Sequence, residues 1–247
     1  MYELVSLVNR LSGDREGRTM RARRSARRRT GDNAVTRPQD PEGTRRNILE
    51  IASEEFALNG LSGARIDEIA ARTRSSKRMI YYYFGDKEGL YLRTLENAYR
   101  RVREGEDKLD TDGLAPLDAL RTLVEFTFDH HHQHEAFIRM VMIENIHHAQ
   151  YLERSDVIGD LNRTAIDHIA RVYERGVSEG VFRPGLDPVQ LHWQVSALCF
   201  FNVSNRATFS KIFGRDFGAE DELASLRRNA VEMVLRFVAR PQVLQDA

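Results

Sequence analysis

The sequence predicts an all-α protein with an N-terminal domain of three helices and a larger C-terminal helical domain. From Pro41 onward, apolar residues recur at three- and four-residue steps, and no strand-like alternation is present. The chain has 247 residues, which is enough for one large domain or two small ones with buried cores. Its longest apolar runs, such as Val195–Phe201, are too short to span a bilayer, so we expect no membrane association.

The N-terminal segment differs in composition from the rest of the chain. Residues 1–39 contain ten arginines and four acidic residues, and large apolar side chains are almost absent after Arg15. Such a segment cannot bury enough surface to order itself, so we predict that residues 1–40 form a disordered, Arg-rich arm. The arm could attract phosphate groups, could be a charged tail without a role, or could precede the true translation start at Met20.

The cysteine content and the missing motifs limit the functional class. Cys199 is the single cysteine, which excludes an intrachain disulfide and fits a reducing cytoplasm. The first residues lack the basic segment and the apolar core of a signal peptide. No Walker loop, GxGxxG, GxSxG or CxxC pattern is present, so the sequence shows neither a nucleophile nor a cofactor cradle. We therefore predict a cytoplasmic protein that is not an enzyme and holds no cofactor.

Three helices are predicted between Glu42 and Phe84. The first runs from about Glu42 to Leu58, and Asn59–Gly60 ends it, because glycine commonly follows a helix. Residues 65–84 then contain a short apolar helix, a polar turn and a second short helix. Two short helices joined by a tight turn form a helix-turn-helix, which is a DNA-binding motif.

The second of these short helices has two different faces. At 100° per residue, Ile80, Tyr83 and Phe84 cluster on the side that must pack on the other helices. Arg78 and Tyr82 point the opposite way. Three consecutive tyrosines cannot all be buried on one face, so core packing alone explains the run poorly. The exposed face suits the major groove of DNA.

The segment YYYFGDKEGL, which ends at Leu90, resembles the signature of the TetR (tetracycline-repressor) family of transcriptional regulators. Its Tyr-rich helix ends in Phe84 and is followed by x-x-Lys-Glu-x-Leu. The resemblance implies a DNA-binding domain at residues 41–90 and an effector-binding and dimerisation domain at residues 91–247. The implied partners are a palindromic double-stranded operator, a second copy of the chain and an unknown small-molecule effector that releases the repressor. The alternative within this class is an effector-free regulator or an activator.

The predicted DNA contacts come from the second short helix and its flanks. Arg78 or Lys77 is placed to bond guanine, and Met79 is placed to contact a thymine methyl group. Tyrosine hydroxyls suit phosphate oxygens, as do basic residues at neighbouring helix starts. The predicted DNA-binding residues are Arg65, Ser75, Ser76, Lys77, Arg78, Met79, Tyr81, Tyr82 and Lys87.

The turn departs from the family pattern, which usually has Gly-Val before a Ser or Thr. Here it contains Arg74-Ser75-Ser76, so we expect Arg74 to take a positive φ at a modest cost. Arg65 also replaces the small hydroxyl residue that is common at the start of the preceding helix. Both departures leave the operator sequence unpredictable.

Six longer helices are predicted after the helix-turn-helix, with a breaker at Thr111–Pro116. Their approximate bounds are Lys87–Asp107, Pro116–His132, Glu135–Gln150, Val157–Glu179, Asp187–Ile212 and Ala219–Ala239. The family resemblance implies that the last two pack as a four-helix dimer interface, although an apolar stripe is also typical of an ordinary core. The stripes consist of Leu191, Val195, Leu198 and Phe201, and of Leu223, Leu226, Ala230, Met233 and Phe237.

A closed, mostly apolar pocket is predicted between the helices at residues 117–180 and 187–212. The alternative is that these side chains pack on one another and leave no cavity. The expected apolar lining consists of Phe126, Phe137, Met140, Ile143, Tyr173, Trp193 and Phe200. The predicted ligand-binding residues are Asn145, His148, Trp193, Gln194 and Asn202.

The histidines offer an alternative function, namely a metal-binding helical protein or enzyme that uses the His130–His148 cluster. His130 and His134 have the i, i+4 spacing of metal ligands. Adjacent histidines face different directions, however, and solvated histidines are common at a helix end. We therefore predict no metal site.

Overall fold

The computed structural model describes residues 40–243, which form ten α-helices and one short 3₁₀ helix (Leu152–Arg154). Within these residues the only β contact is a single antiparallel bridge between Phe182 and Ala239. None of the described helices is long and apolar enough to cross a bilayer. The predicted arm at residues 1–40 lies outside the described residues except for its last residue. The α-helices are α1 Pro41–Gly63, α2 Ile66–Thr73, α3 Lys77–Phe84, α4 Lys87–Glu106, α5 Pro116–Gln133, α6 Glu135–Ile146, α7 Asp156–Ser178, α8 Pro188–Ser204, α9 Arg206–Phe213 and α10 Glu220–Val238.

Helices α1 to α4 share one apolar core. Its fully buried members include Ile48, Phe56, Ile69, Ile80 and Leu90, so every one of these helices contributes to it. α1 leaves helical geometry at Gly60, where φ is 64° and ψ is 177°, and helical structure then resumes for three residues. Regular helical geometry therefore ends at the predicted glycine, and a separate short turn follows it.

Helix α4 belongs to the core of the N-terminal helices and to that of the body. Its first half buries Leu90, Tyr91 and Leu95 among α1 to α3. Its second half buries Val102 in another cluster, together with Phe137 and Ile138 of α6. One continuous helix therefore connects the two cores.

Helices α5, α7, α8 and α10 form the largest core of the body. Val124, Val172, Leu191 and Val234 are among its buried members, one from each of these helices. The loop between α4 and α5 is held to α7 by Arg175, whose guanidinium donates to the backbone oxygens of Thr111, Asp112 and Leu114 at 2.8 to 2.9 Å.

Two predicted helix bounds in the body are wrong. The helix predicted over residues 187–212 is two helices, because the chain turns at Asn205, where φ is −108° and ψ is 0°. The helix predicted to reach Gln150 ends at Ile146. Its end is explained by the positive φ of His148 and Ala149, which closes the last turn as left-handed residues commonly do.

The apolar stripes predicted for dimerisation belong partly to the core of the single chain. Leu191, Val195 and Ala230 are buried inside the body, against α5 and α7. Other apolar residues of these helices are exposed. They are Val189, Trp193 and Phe201 on α8, and Met233 and Phe237 on α10. Phe201, Met233 and Phe237 belong to the predicted stripes, which therefore combine residues of the core with exposed ones.

Candidate DNA-binding surface and ligand-binding cleft

The turn between α2 and α3 is defined by a left-handed residue and a side-chain cap. Arg74 has a φ of 53°, as the sequence predicts for this turn, and the amide of Ser75 donates to the Ala70 carbonyl at 3.0 Å. Ser76 then caps α3, since its hydroxyl accepts from the amide of Met79 at 3.1 Å. Helix α3 therefore begins at Lys77.

Helix α3 exposes one face and buries the other. Ile80 and Phe84 are buried in the N-terminal core, whereas Arg78, Met79 and Tyr81 are exposed. Tyr82 is the most exposed residue among the large apolar and aromatic side chains, at 80%. The third tyrosine of the run is half-buried and packs edge-on against its neighbours on either side. α3 thus presents cationic, thioether and phenol groups together, a mixture that can contact both base edges and phosphates.

The basic residues of this surface differ in their partners. Lys77 pairs with Asp67 at 2.5 Å, and Arg65 approaches Glu68 at 3.8 Å. Arg78 forms no ion pair with any residue that the structure describes. Exposed pairs of this kind contribute little to stability, at most about 1 kcal/mol, so they can open at small cost when a phosphate approaches.

The helices beside α3 position two further cations. Asp86 caps α4 by accepting from the Gly89 amide at 2.7 Å, and Lys87 donates to the carbonyl of Ser62 at 3.1 Å. Buried Glu55 accepts from the backbone amide of Arg65 at 2.9 Å and so fixes the start of α2. The lysine and arginine lie at the starts of α4 and α2, where backbone amides favour anions.

A cleft of about 210 Å³ lies in the body between α4, α5, α6, α7 and α8. Its apolar and aromatic lining consists of Tyr99, Val102, Phe137, Val141 and Phe200. Its polar lining consists of Arg103, Glu106, Thr127, His131, Asn162, His192 and Ser196. This combination of aromatic walls with a few polar groups is typical of small-molecule sites.

The two charged side chains that line this cleft, Arg103 and Glu106, form a buried ion pair and compensate each other. Arg103 bonds Glu106 one turn further along α4, and burial raises the pKa of Glu106 while the arginine opposes that shift. Burial, with the charge of Arg103, lowers the pKa of His131 to about 4, although a bond to the Cys199 backbone acts in the opposite direction. Burial likewise lowers the pKa of His192 to about 4. Both imidazoles are therefore neutral near pH 7.

A larger cleft of about 300 Å³ lies between α1, α4, α5 and α6 and is lined mainly by polar residues. It contains three carboxylates, and an arginine already pairs with each of them. Glu50 pairs with Arg101, Glu54 with Arg72, and Glu135 with Arg206. Because these charges are compensated, this cleft is a weaker candidate for a ligand site than the cleft beside Arg103.

Two family profiles match separate parts of the chain. Residues 48–94 match the profile of bacterial regulatory proteins of the tetR family. Residues 116–234 match the profile of the tetracyclin repressor-like C-terminal domain. The HTH-type transcriptional repressor NicS of Pseudomonas putida is 33% identical over 204 residues, which cover 83% of this chain and 96% of NicS. The chain belongs to the TetR family. It is a DNA-binding transcriptional regulator rather than an enzyme.

Other TetR-family relatives are more distant. The HTH-type transcriptional regulator RutR of Escherichia coli is 27% identical over 150 residues, covering 61% of this chain and 69% of RutR. A regulatory protein of the tetR family from Rhodococcus RHA1 has a similar fold, with a TM-score of 0.62, 23% identity and coverage of 79% and 97% of the two chains. The regulator FadR of Bacillus subtilis, solved in complex with stearoyl-CoA, has a TM-score of 0.58 at 15% identity, covering 77% of this chain and 97% of FadR.

The structure does not bring the five predicted ligand-binding residues together. Trp193 and Gln194 are exposed because they lie on the side of α8 opposite its buried face, and Asn145 and His148 are exposed at the end of α6. Asn202 is half-buried, but its amide donates to the Leu198 carbonyl of its own helix. None of the five lines the cleft beside Arg103.

Of the seven residues predicted to line a pocket, two line this cleft. Phe137 and Phe200 line the cleft, but Tyr173 packs in the core of the body and donates its hydroxyl to the Arg183 carbonyl at 2.8 Å. The cleft is open to the surface and takes one wall from α4, outside the two segments predicted to enclose it. Sequence reasoning missed Arg103 because a single arginine in a helix of repeated arginines has no distinguishing pattern.

The first two histidines of the run are buried rather than solvated. His130 and His131 are only 7% and 8% exposed, because α5 continues past them to Gln133 and packs against α6. The rings of His130 and His134 stack at 4.1 Å. In the described part of the chain, no group of three or more His, Cys, Asp or Glu side chains is arranged to hold a metal ion.

Proposed function

We propose that this TetR-family protein is a repressor that binds a palindromic operator through the exposed face of α3. The observation that carries the proposal is the division of α3, which buries Ile80 and Phe84 and exposes Arg78, Met79 and Tyr82. A helix fixed by its apolar face presents such side chains to the major groove in a constant orientation. Arg78 has the donors to bond guanine, and the tyrosine hydroxyls suit phosphates.

The contacts around α3 support the other positions in the proposed DNA surface. Ser75 and Ser76 lie at the start of α3, where their hydroxyls and the helix amides can meet a phosphate. Lys77, Arg65 and Lys87 add positive charge at three helix starts. Tyr81 is 42% exposed and lies beside Tyr82 on the exposed surface of α3.

We further propose that the regulator acts as a homodimer. A palindromic operator requires two α3 helices about 34 Å apart, one for each half-site. α8 and α10 expose large apolar residues that a monomer would leave in water, including Trp193 at 71% and Met233 at 51%. Exposed apolar side chains on two helices that pack together are typical of a protein interaction site.

The effector is proposed to bind in the cleft beside Arg103. α4 supports this, because its second half lines that cleft while its first half packs against α3. A ligand that binds more tightly when α4 is displaced would shift the population away from the DNA-binding arrangement. The transcriptional regulator FadR, which has a similar fold, was solved in complex with a small molecule, stearoyl-CoA.

The DNA contacts can be tested by first selecting the operator in vitro. The full chain selects duplexes from a random pool, and the selected sequence is used to compare variants by fluorescence anisotropy. We expect Arg78→Ala to weaken binding by about 1–3 kcal/mol and to relax the preference at one base position. Tyr82→Phe should weaken binding to all sequences, since it removes a phosphate contact.

The matched control is Arg163→Ala, which removes an exposed arginine from α7 in the body. It should leave DNA binding unchanged. Equal binding by wild type, Arg78→Ala and Tyr82→Phe, with helicity intact in all three, would show that α3 does not contact DNA in the proposed way. A selected sequence without two-fold symmetry would contradict the palindromic operator.

A further inference from the structure

The size of the cleft beside Arg103 limits its ligand to a single small ring. Its volume is about 210 Å³. An apolar cavity of about 150 Å³ holds benzene, whereas drug-sized ligands occupy roughly 300–1,000 Å³. The cleft therefore accommodates one ring with one or two small substituents.

The walls of the cleft favour a flat, unsaturated ring. Tyr99 and Phe137 meet edge to face with centroids 5.2 Å apart. The imidazole of His131 lies 6.1 Å from Phe137 and 6.4 Å from Phe200, so four rings surround the space. Aromatic walls stack best on a planar ring, because both the dispersion contact and the quadrupole interaction depend on a flat face.

The charge balance of the cleft favours an uncharged ligand. Arg103 and Glu106 compensate each other in a buried pair, and the neighbouring imidazoles of His131 and His192 are neutral. A carboxylate or an ammonium group on the ligand would bring an uncompensated charge out of water, and burial of such a charge is costly.

Two buried polar atoms of the cleft have no partner among the described residues, namely Nε of Arg103 and Nδ1 of His131. The Arg103 atom is a donor, because a guanidinium has no acceptor. A neutral imidazole has one donor nitrogen and one acceptor nitrogen. The backbone of Cys199 raises the pKa of His131, as a carbonyl beside the ring N–H does, and Nδ1 has no partner among the described residues. Nδ1 of the neutral imidazole is therefore an acceptor.

We propose that the effector of this cleft is a small, planar, uncharged nitrogen heterocycle of the cyclic amide class. Its ring carbonyl accepts from Nε of Arg103, and its ring N–H donates to Nδ1 of His131. A buried polar atom without a partner is costly, so a ligand that supplies the missing partner gains affinity, and a cyclic amide supplies an acceptor and a donor on one ring. The assignment of an effector role rests on the proposed function, whereas the ligand class rests on the cleft alone.

Three probes of one-ring size separate the features of the ligand. 2-Pyridone has the carbonyl and the N–H, N-methyl-2-pyridone lacks the N–H, and benzoate is a planar anion. Titration calorimetry and ligand-observed NMR on the full chain, without DNA, measure their affinities. We expect 2-pyridone to bind in a 1:1 ratio. N-methyl-2-pyridone and benzoate should each bind at least about tenfold more weakly.

Variants locate the bound ring. Arg103→Gln and, independently, His131→Phe should weaken 2-pyridone binding about tenfold or more, because each leaves one ring atom unpaired. Arg163→Gln, which changes an exposed arginine, should bind as wild type does. If Arg103→Gln fails to fold, judged by its thermal transition, the comparison of 2-pyridone with N-methyl-2-pyridone on the wild-type chain still decides the ligand class.

Three results would overturn the assignment: no binding of 2-pyridone, equal binding of the N-methyl compound, or tighter binding of benzoate. The outcome for the proposed function is separate. If the selected duplex binds the protein but no cyclic amide does, the ligand class is wrong and the DNA-binding function stands. If 2-pyridone binds as expected but never alters DNA binding, the ligand class stands and the effector role is wrong.

Discussion

At the scale of single residues, the buried histidines show how much a side chain depends on its surroundings. His130 is buried on α5, and neither of its ring nitrogens has a hydrogen-bond partner among the described residues. Burial, followed by the charges of His134 and His131, lowers the pKa of His130 to about 3. An unfolded chain would bind a proton at this position near pH 6.5, whereas the folded chain would not.

This difference predicts a pH dependence of stability that His130→Phe removes. Between about pH 3 and pH 6.5 the unfolded state binds more protons at this position than the folded state does. The stability that the neutral His130 contributes is therefore complete above pH 6.5 and is lost as the pH falls towards 3. The free energy of unfolding of His130→Phe minus that of wild type is the quantity to compare. We expect this difference to be about 1–2 kcal/mol more favourable to the variant at pH 5 than at pH 8.

Urea unfolding at the two pH values measures this change. Any effect of the substitution that does not depend on pH, such as a misfit of the larger ring, changes the free energy of unfolding equally at both pH values and so cancels in the comparison. The control is His147→Gln, which changes an exposed histidine at the end of α6. It should show no such difference. An unchanged pH dependence in His130→Phe would mean that His130 is protonated in the folded protein.

At the scale of elements, the packing of the chain against α7 requires a glycine at position 176. Phe182 lies after α7, is fully buried and turns back over Gly176, whose carbonyl accepts from the Phe182 amide at 2.9 Å. A Cβ atom at Gly176 would lie only 2.0 Å from the Phe182 ring. At Gly159, near the start of α7, the same atom would meet nothing within 4 Å.

The two glycines of α7 therefore predict opposite effects of the same substitution. Gly176→Ala should destabilise the protein by about 1–3 kcal/mol, because the Phe182 ring must leave its packed position. Gly159→Ala should stabilise it by about 0.5–1 kcal/mol, since alanine is the better helix former and no contact is disturbed. Thermal or urea unfolding distinguishes the two, and destabilisation by both variants would show that α7 tolerates no added methyl group at all.

How far the sequence predicts each element depends on how local its determinants are. The left-handed Arg74 and the faces of α3 follow from a few adjacent residues, and they agree with the structure. The break at Asn205 and the end of α6 depend on packing between distant segments, and both were predicted wrongly. The cleft required five helices at once, so its arginine could not be distinguished by spacing alone.

At the scale of the whole molecule, some apolar residues of α8 and α10 pack in the core of the chain, whereas others are exposed and available to a second copy. A helix that is apolar on more than one face has one face for its own core and another for a partner. Leu191 and Val195 face the core, while Trp193 and Phe237 are exposed at 71% and 46%. The second pair therefore tests dimerisation without removing contacts from the core.

We expect Trp193→Glu and Phe237→Glu to convert the dimer to a folded monomer, because each would place a carboxylate in an apolar interface. Light scattering after gel filtration gives the mass, and circular dichroism gives the helicity. The control is Leu58→Glu, which places the same charge on an exposed leucine of α1. Since one α3 contacts only one half-site, the monomers should also lose most of their affinity for the selected palindrome, while each half-site contact stays intact. Dimers in both variants would place the interface elsewhere, and a monomeric wild type at micromolar concentration would contradict the homodimer itself.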